Sequence, residues 1–149
     1  MRNGTPAAGR LEVLRAIPLF RACSDRELAQ VEALVDDIEI GASETLVREG
    51  TWEAESFVIV SGEAAVTISG RPVATLRAGD FFGEMAMLDR SARSATVTAL
   101  TPMHLLVLGP RSFPALVEIG SVARSMLRDL VDRLRRTDEE LVAETPLRL

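Results

Sequence analysis

Residues 79–99 read GDFFGEMAMLDRSARSATVTA, and the spacing of their side chains suits the capture of a small anion. Gly79 and Gly83 permit backbone conformations closed to other residues. Glu84-Met85-Ala86-Met87-Leu88 is a helix-compatible run that begins directly after Gly83. A helix starting there would aim unsatisfied main-chain N–H groups at one spot, an anion site that needs no basic side chain. Arg93 follows at the mouth of the next apolar run, and a guanidinium can hold two oxygens of one phosphate. Glu84 is the odd member, because a carboxylate beside a phosphate is repulsive unless a donor stands between them. A sugar hydroxyl would serve, so the set points to a ligand that is anionic on one side and carries a hydroxyl on the other. The plain alternative makes Arg93 a solvated charge or an ion-pair partner of Glu84, and it leaves Gly83 and Ala95 without a purpose.

The surrounding pattern predicts how these residues are positioned. Residues 1–9 read as a loose leader, and 10–145 as one domain. Ser24-Asp25-Arg26-Glu27 is a capping box, and Leu28, Val31, Leu34 and Val35 behind it recur at helical spacing, which predicts a helix over 25–36. From residue 37 the pattern changes to short β-rich runs at 37–40, 44–48, 57–61, 64–68, 73–77, 94–100 and 103–108, punctuated by glycines. Short strands with turn signals every 8–12 residues or so indicate a sandwich, jelly roll or barrel. Ser69-Gly70-Arg71-Pro72 reads as a hairpin turn. After Pro110 the helical period returns, first around Phe113, Leu116 and Val117, then over Val122–Ala143. The order is therefore helices (10–36), β structure (37–109), helices (110–143), an α+β domain. Leu127, Leu134 and Leu141 fall seven apart and suit packing on the β structure or against a second copy equally well. Phe81 and Phe82 read as core or hinge packing, Trp52 as a loop cover, His104 as a satisfied or exposed strand residue and Cys23 as a small core residue.

Composition removes several classes. The 149 residues suffice for one domain with a real core. No apolar run approaches the ~20 residues of a membrane helix, and the first ten residues lack the apolar stretch of a secretory signal. One Cys and one His exclude an internal disulfide and the usual zinc site, and a cytoplasmic compartment fits. Every basic residue is Arg, and 17 of them against 22 acids leave a net charge of −5. Between Cys23 and Ala92 there are 14 acids and five Arg, a balance of −9. Such a surface is a poor match for DNA phosphates. No metal cluster and no nucleophile–base set is visible, so no catalytic residue is assigned.

With these residues in view, the sequence resembles the cyclic nucleotide-binding domain family. Phe82-Gly83-Glu84-Met85-Ala86-Met87 and Arg93-Ser94-Ala95-Thr96-Val97 match every position of that family's phosphate-binding cassette, with a short spacer over 88–92. Upstream, Leu46-Val47-Arg48-Glu49-Gly50 leads into Phe57-Val58-Ile59-Val60-Ser61-Gly62 at the family's spacing. Glu53 and Ser56 depart from its pattern, in what reads as a surface loop. The resemblance spans roughly 17–143. It implies an eight-stranded antiparallel, jelly-roll-like β roll flanked by N-terminal helices and C-terminal lid helices.

The resemblance also implies roles. Glu84 would accept from the ribose 2′-hydroxyl, and Arg93 would pair with the phosphate. Main-chain amides of Gly83, Glu84, Met85 and Ala86, and of Ser94 and Ala95, would complete the cradle. Val66 and Ala74 would line the base pocket. Arg133-Leu134 followed by Thr137 and Glu139 resembles the last helix of the family's transcription factors, where a Thr at the place of Thr137 meets adenine. The expected ligand is cAMP in preference to cGMP, with no other cofactor. Six residues follow Ala143, too few for a helix-turn-helix, so the expected partner is a separate effector protein or a second copy joined through the C-terminal helix. A non-catalytic interaction module with a repurposed pocket is the alternative.

Overall fold

The chain is described by a computed structural model that covers residues 7–83 and 92–144, with side chains over 11–83 and 92–136. Helix α1 (Ala7–Ala16), a 3-10 turn (Pro18–Phe20) and α2 (Asp25–Leu34) precede eight strands. These are β1 (Asp36–Ile40), β2 (Thr45–Val47), β3 (Ser56–Ser61), β4 (Ala64–Ile68), β5 (Arg71–Leu76), β6 (Phe81–Phe82), β7 (Thr96–Ala99) and β8 (Met103–Leu108). Helices α3 (Ser112–Val117) and α4 (Gly120–Glu144) follow. All strand pairs are antiparallel, in two four-stranded sheets ordered β1-β8-β3-β6 and β2-β7-β4-β5. The expected eight-stranded roll between helices is what the chain forms. Helix α1 starts at Ala7, inside the segment read as a leader, and α2 ends at Leu34 because Asp36 opens β1.

Strand alternation builds two cores. Side chains one apart on a strand point to opposite faces. Phe57, Ile59 and Leu105 therefore meet Val47, Ala64, Val97 and Ala99 between the sheets, while Val58, Leu106 and Leu108 face outward. There they pack on Leu14, Phe20, Leu28, Val31, Phe113, Leu116 and Val122 from the helices. Strands β3 and β8 sit mid-sheet and are covered on both faces, which is why FVIV and LLVL run without polar interruption. Phe81 and Phe82 divide between these cores: Phe81 joins the helix-side cluster and Phe82 the interior one.

Local chemistry sets the turns. Ile68 pairs with Arg71, so the β4–β5 connection is the two residues Ser69 and Gly70, both at positive φ (52° and 79°). Two such residues suit the right-handed twist of a hairpin. Pro72 is accommodated because β5 lies at a sheet edge. Ser56, expected in a surface loop, is instead the first residue of β3 and is buried. Trp52 is 75% exposed, Cys23 is half-buried against the helix-side core, and His104 Nε2 lies 3.4 Å from Asp37 Oδ1. Helix α4 buries Ser121, Val122 and Met126 but leaves Leu127 63% and Leu134 62% exposed, so those two leucines do not pack on the roll. No helix among the described residues is long and apolar enough to cross a membrane.

The predicted capping box is formed. The Glu27 amide donates to Ser24 Oγ (3.2 Å) and the Ser24 amide to Glu27 Oε1 (3.0 Å). The Ser121 hydroxyl also donates to Glu27 Oε1 (2.9 Å), which ties the start of α4 to the start of α2. These donors, the Ser24 amide first and then Ser121, hold the Glu27 carboxyl below its ordinary value. A lowered carboxyl stabilises the fold above the unfolded-state pKa, ~4.3, and that contribution is lost as pH falls through the folded value. Glu27→Gln should therefore be less stable than the wild type at neutral pH, with the gap closing below about pH 4. Urea unfolding across pH checks this, and a gap independent of pH would contradict it.

Candidate functional site

Arg93 leads into β7 and is fixed by main chain and side chain together. Its amide donates to Thr51 O (2.9 Å) and its carbonyl accepts from the Gly50 amide (2.8 Å), so it is stitched to the loop before β3. Its guanidinium points inward, only 5% of the residue being exposed. Nη1 donates to Gly83 O (2.8 Å) and Nη2 to Glu55 O. A planar, permanently charged group is thus set in one orientation inside an otherwise apolar roll.

Gly83, just past β6, is required twice. Its φ is +86°, and a Cβ there would lie 2.8 Å from both Arg93 Nη1 and Glu55 O. The residue is a glycine because the guanidinium and the Glu55 carbonyl, from the loop before β3, approach its backbone from the side where a methyl would sit.

These groups open on a cavity of about 290 Å³ between the sheets and α4. Gly83, Ala92, Arg93, Ser94 and Ala95 form part of its lining. Val47, Val66, Ala74, Leu76, Phe81, Phe82 and Val97 supply apolar walls, and Arg133 of α4 completes it. The fold therefore brings together Gly83, Arg93, Ser94 and Ala95 with Val66 and Ala74, which the sequence placed in two groups around one ligand. Glu84, Met85 and Ala86 lie outside the described residues. Thr137 belongs to α4, and its side chain is likewise outside the description.

Three lining residues carry more than the sequence reading assigned them. Phe81 and Phe82, read as packing alone, both line the cavity. The Phe82 ring stacks on Phe57 (centroids 5.0 Å apart, 19° between planes). The Phe81 ring lies under the guanidinium of Arg133, whose carbon is 4.7 Å from the ring centroid. Arg133 also donates to Phe81 O (3.4 Å), pairs through Nε with Asp129 (2.9 Å), one helical turn back, and lies 3.9 Å from Asp80. The Arg133-Leu134 pair of the last helix is where the sequence carries a signal for it.

Donors beside Gly83 and Arg93 can hold an anion, and flat apolar walls can hold a ring system. Few convergent polar groups in a mostly apolar cleft are the usual makeup of a small-molecule site. Residues 37–119, more than half of the chain, match the model of the cyclic nucleotide-binding domain. The chain belongs to that family, as its two motifs led us to expect. It is 33% identical over 117 residues to a cAMP-dependent protein kinase regulatory subunit of Emericella nidulans, covering 77% of this chain and 28% of the relative. It is 37% identical over 116 residues to the Pycsar effector protein PaPycTIR of Pseudomonas aeruginosa, covering 76% of this chain and 37% of the relative. The chain thus spans about a third of the length of these curated relatives, or less. Among solved structures, the catabolite activator protein of Thermus thermophilus superimposes with a TM-score of 0.71 at 28% identity, covering 83% of this chain and 61% of the other.

Gly83→Ala should cost about 1–3 kcal/mol of stability, the usual strain of a side chain held at positive φ, with displacement of Arg93 added to it. Urea unfolding measures this. Unchanged stability would mean that Gly83 is not confined as described.

Proposed function

We propose that the chain is a regulatory module that binds a cyclic nucleotide, cAMP in preference to cGMP, in the cavity beside Arg93 and catalyses no reaction on it. The observation that carries this reading is the juxtaposition of Arg93, Gly83, Ser94 and Ala95 with the apolar wall of Val66 and Ala74. The guanidinium and the amides around it take the cyclic phosphate. Glu84 takes the ribose 2′-hydroxyl, the amides of Met85 and Ala86 extend the phosphate cradle, and Thr137 adds a contact to the base. The preference for cAMP is supported by the regulatory subunit of a cAMP-dependent kinase among the relatives.

Output runs through α4, which reaches the cavity with Arg133 while most of its length lies outside. A ligand that favours one position of α4 shifts the population toward it, by no more than its difference in affinity for the two positions. The module works in the cytoplasm on a separate effector protein or on a second copy. Leu127, Leu130, Val131 and Leu134 favour the second copy, because they form an exposed apolar stripe at helical spacing.

Calorimetric titration with cAMP and cGMP tests the reading, with saturable heat expected. No heat with either nucleotide at millimolar concentration would overturn it. Arg93→Ala should weaken binding by ~2–5 kcal/mol, the range for deleting one partner of a buried charged pair. Circular dichroism of the same variant separates lost affinity from lost fold, since Arg93 also holds two carbonyls. Sedimentation with and without nucleotide distinguishes the sensor from the alternative interaction module. A dimer indifferent to ligand, together with silent calorimetry, is the result that favours the module.

A further inference from the structure

We propose that the groove between β1 and β2 docks an extended segment of a partner protein, one that presents an apolar side chain flanked by arginine or lysine. The groove measures about 520 Å³ and shares no lining residue with the cavity beside Arg93, so the inference stands apart from the nucleotide reading. Asp36, Val107 and Phe57 face one another in a row across β1, β8 and β3. Thr45 and Leu46 of β2 line the groove from the other sheet. Its apolar floor is Ile38, Leu46, Phe57 and Val107. All but Phe57 are only partly buried, although they pack on the inter-sheet core. The core is therefore not sealed at this end. Strands β1 and β2 are each the outer strand of their sheet, and the main chain of an outer strand can pair with an extended segment.

The rim selects the sign of the partner. Both charged residues that line the groove, Asp36 and Glu55, are carboxylates. Residues 32–63 carry nine acids and one Arg. Glu44 and Glu49 accept from the main-chain amides of Gly41 and Ser69, and such bonds do not cancel their charge. Trp52 lies three residues before Glu55 in the same loop and is 75% exposed. The face of an indole attracts ammonium and guanidinium groups, and Trp is enriched among the residues that dominate interface energy. An acidic rim repels the phosphates of nucleic acid and of anionic lipid. A cationic side chain gains from the carboxylates and the indole together, and an apolar neighbour on the same segment covers Ile38, Leu46 and Val107.

Amide NMR shifts of the isotope-labelled full chain, titrated with capped peptides, test the inference. The probes are glycine-arginine-leucine-arginine-glycine, the same peptide with glutamate for arginine, and the same peptide with glycine for leucine. The arginine–leucine peptide should move amides of β1, β2 and the loop before β3 saturably, and about 0.5 M salt should suppress this. The glutamate peptide should move none of them. Loss of the leucine should weaken binding about fivefold or more, the scale of partly burying one such side chain. Glu55→Gln, which keeps the main-chain carbonyl that Arg93 uses, should weaken the arginine–leucine peptide about two- to fivefold. Trp52→Ala should do so by a similar factor. Both side chains are exposed, and the variants' own spectra report whether the fold is kept. Unmoved groove amides, an equal response to the glutamate peptide or indifference to the leucine would each overturn the proposal. Shifts centred on the exposed leucines of α4 would place the docking surface there and overturn it as well.

Discussion

A guanidinium set inside an apolar roll has to be surrounded by acceptors, and the rest of this structure follows from how Arg93 meets that demand. Its two terminal nitrogens donate to carbonyls from separate segments, Gly83 after β6 and Glu55 before β3. Its own main chain is bonded to the loop at Gly50 and Thr51. One side chain therefore fixes the spacing of three pieces of backbone. Gly83 carries no Cβ because that approach leaves no room for one. Charge, donors and curvature are concentrated at a single point of a cavity whose other walls are hydrocarbon. Hydrogen bonds to a charged donor are stronger than neutral ones, so the arrangement is rigid where an anion would be received.

The same region is joined to the helices by two consecutive phenylalanines. Phe82 packs into the inter-sheet core and stacks on Phe57, while Phe81 packs among the helices and carries Arg133 on its face. Gly83 is one peptide away from Phe82 and two from Phe81. Phe81 lines the cavity and carries Arg133 of α4 on its ring, and Arg133 pairs with Asp129. Helix α4 is joined to α2 as well, through Ser121 and Glu27 at its first turn, so it is held near its start and by Arg133 midway. Its exposed leucines lie on the stretch between and beyond these ties.

Much of this was legible in the sequence because it rests on local rules. The capping box at Ser24 and Glu27 needs only four residues, and it formed as written. The alternation in β3 and β8 and the pair Ser69-Gly70 are equally local. The motif residues Gly83, Arg93, Ser94 and Ala95 are legible together through the resemblance of residues 82–97 to the family's cassette. What escaped was set by distant packing. Strand β6 is two residues long and has no period to read. Ser56 is buried because β3 starts one residue before its apolar run. Arg133 meets Phe81 across 52 residues of chain, and no spacing rule connects them. Leu127 and Leu134 fit two environments in the sequence, and the roll excludes one of them.

A crystal structure of the protein with cAMP bound tests the central claim most directly. The expected result is a cyclic phosphate within hydrogen-bond distance of the Arg93 guanidinium and of the amides at Ser94 and Ala95, with the adenine ring against Val66 and Ala74. A nucleotide seated elsewhere, or a phosphate that leaves Arg93 bonded to the Gly83 and Glu55 carbonyls alone, would contradict it.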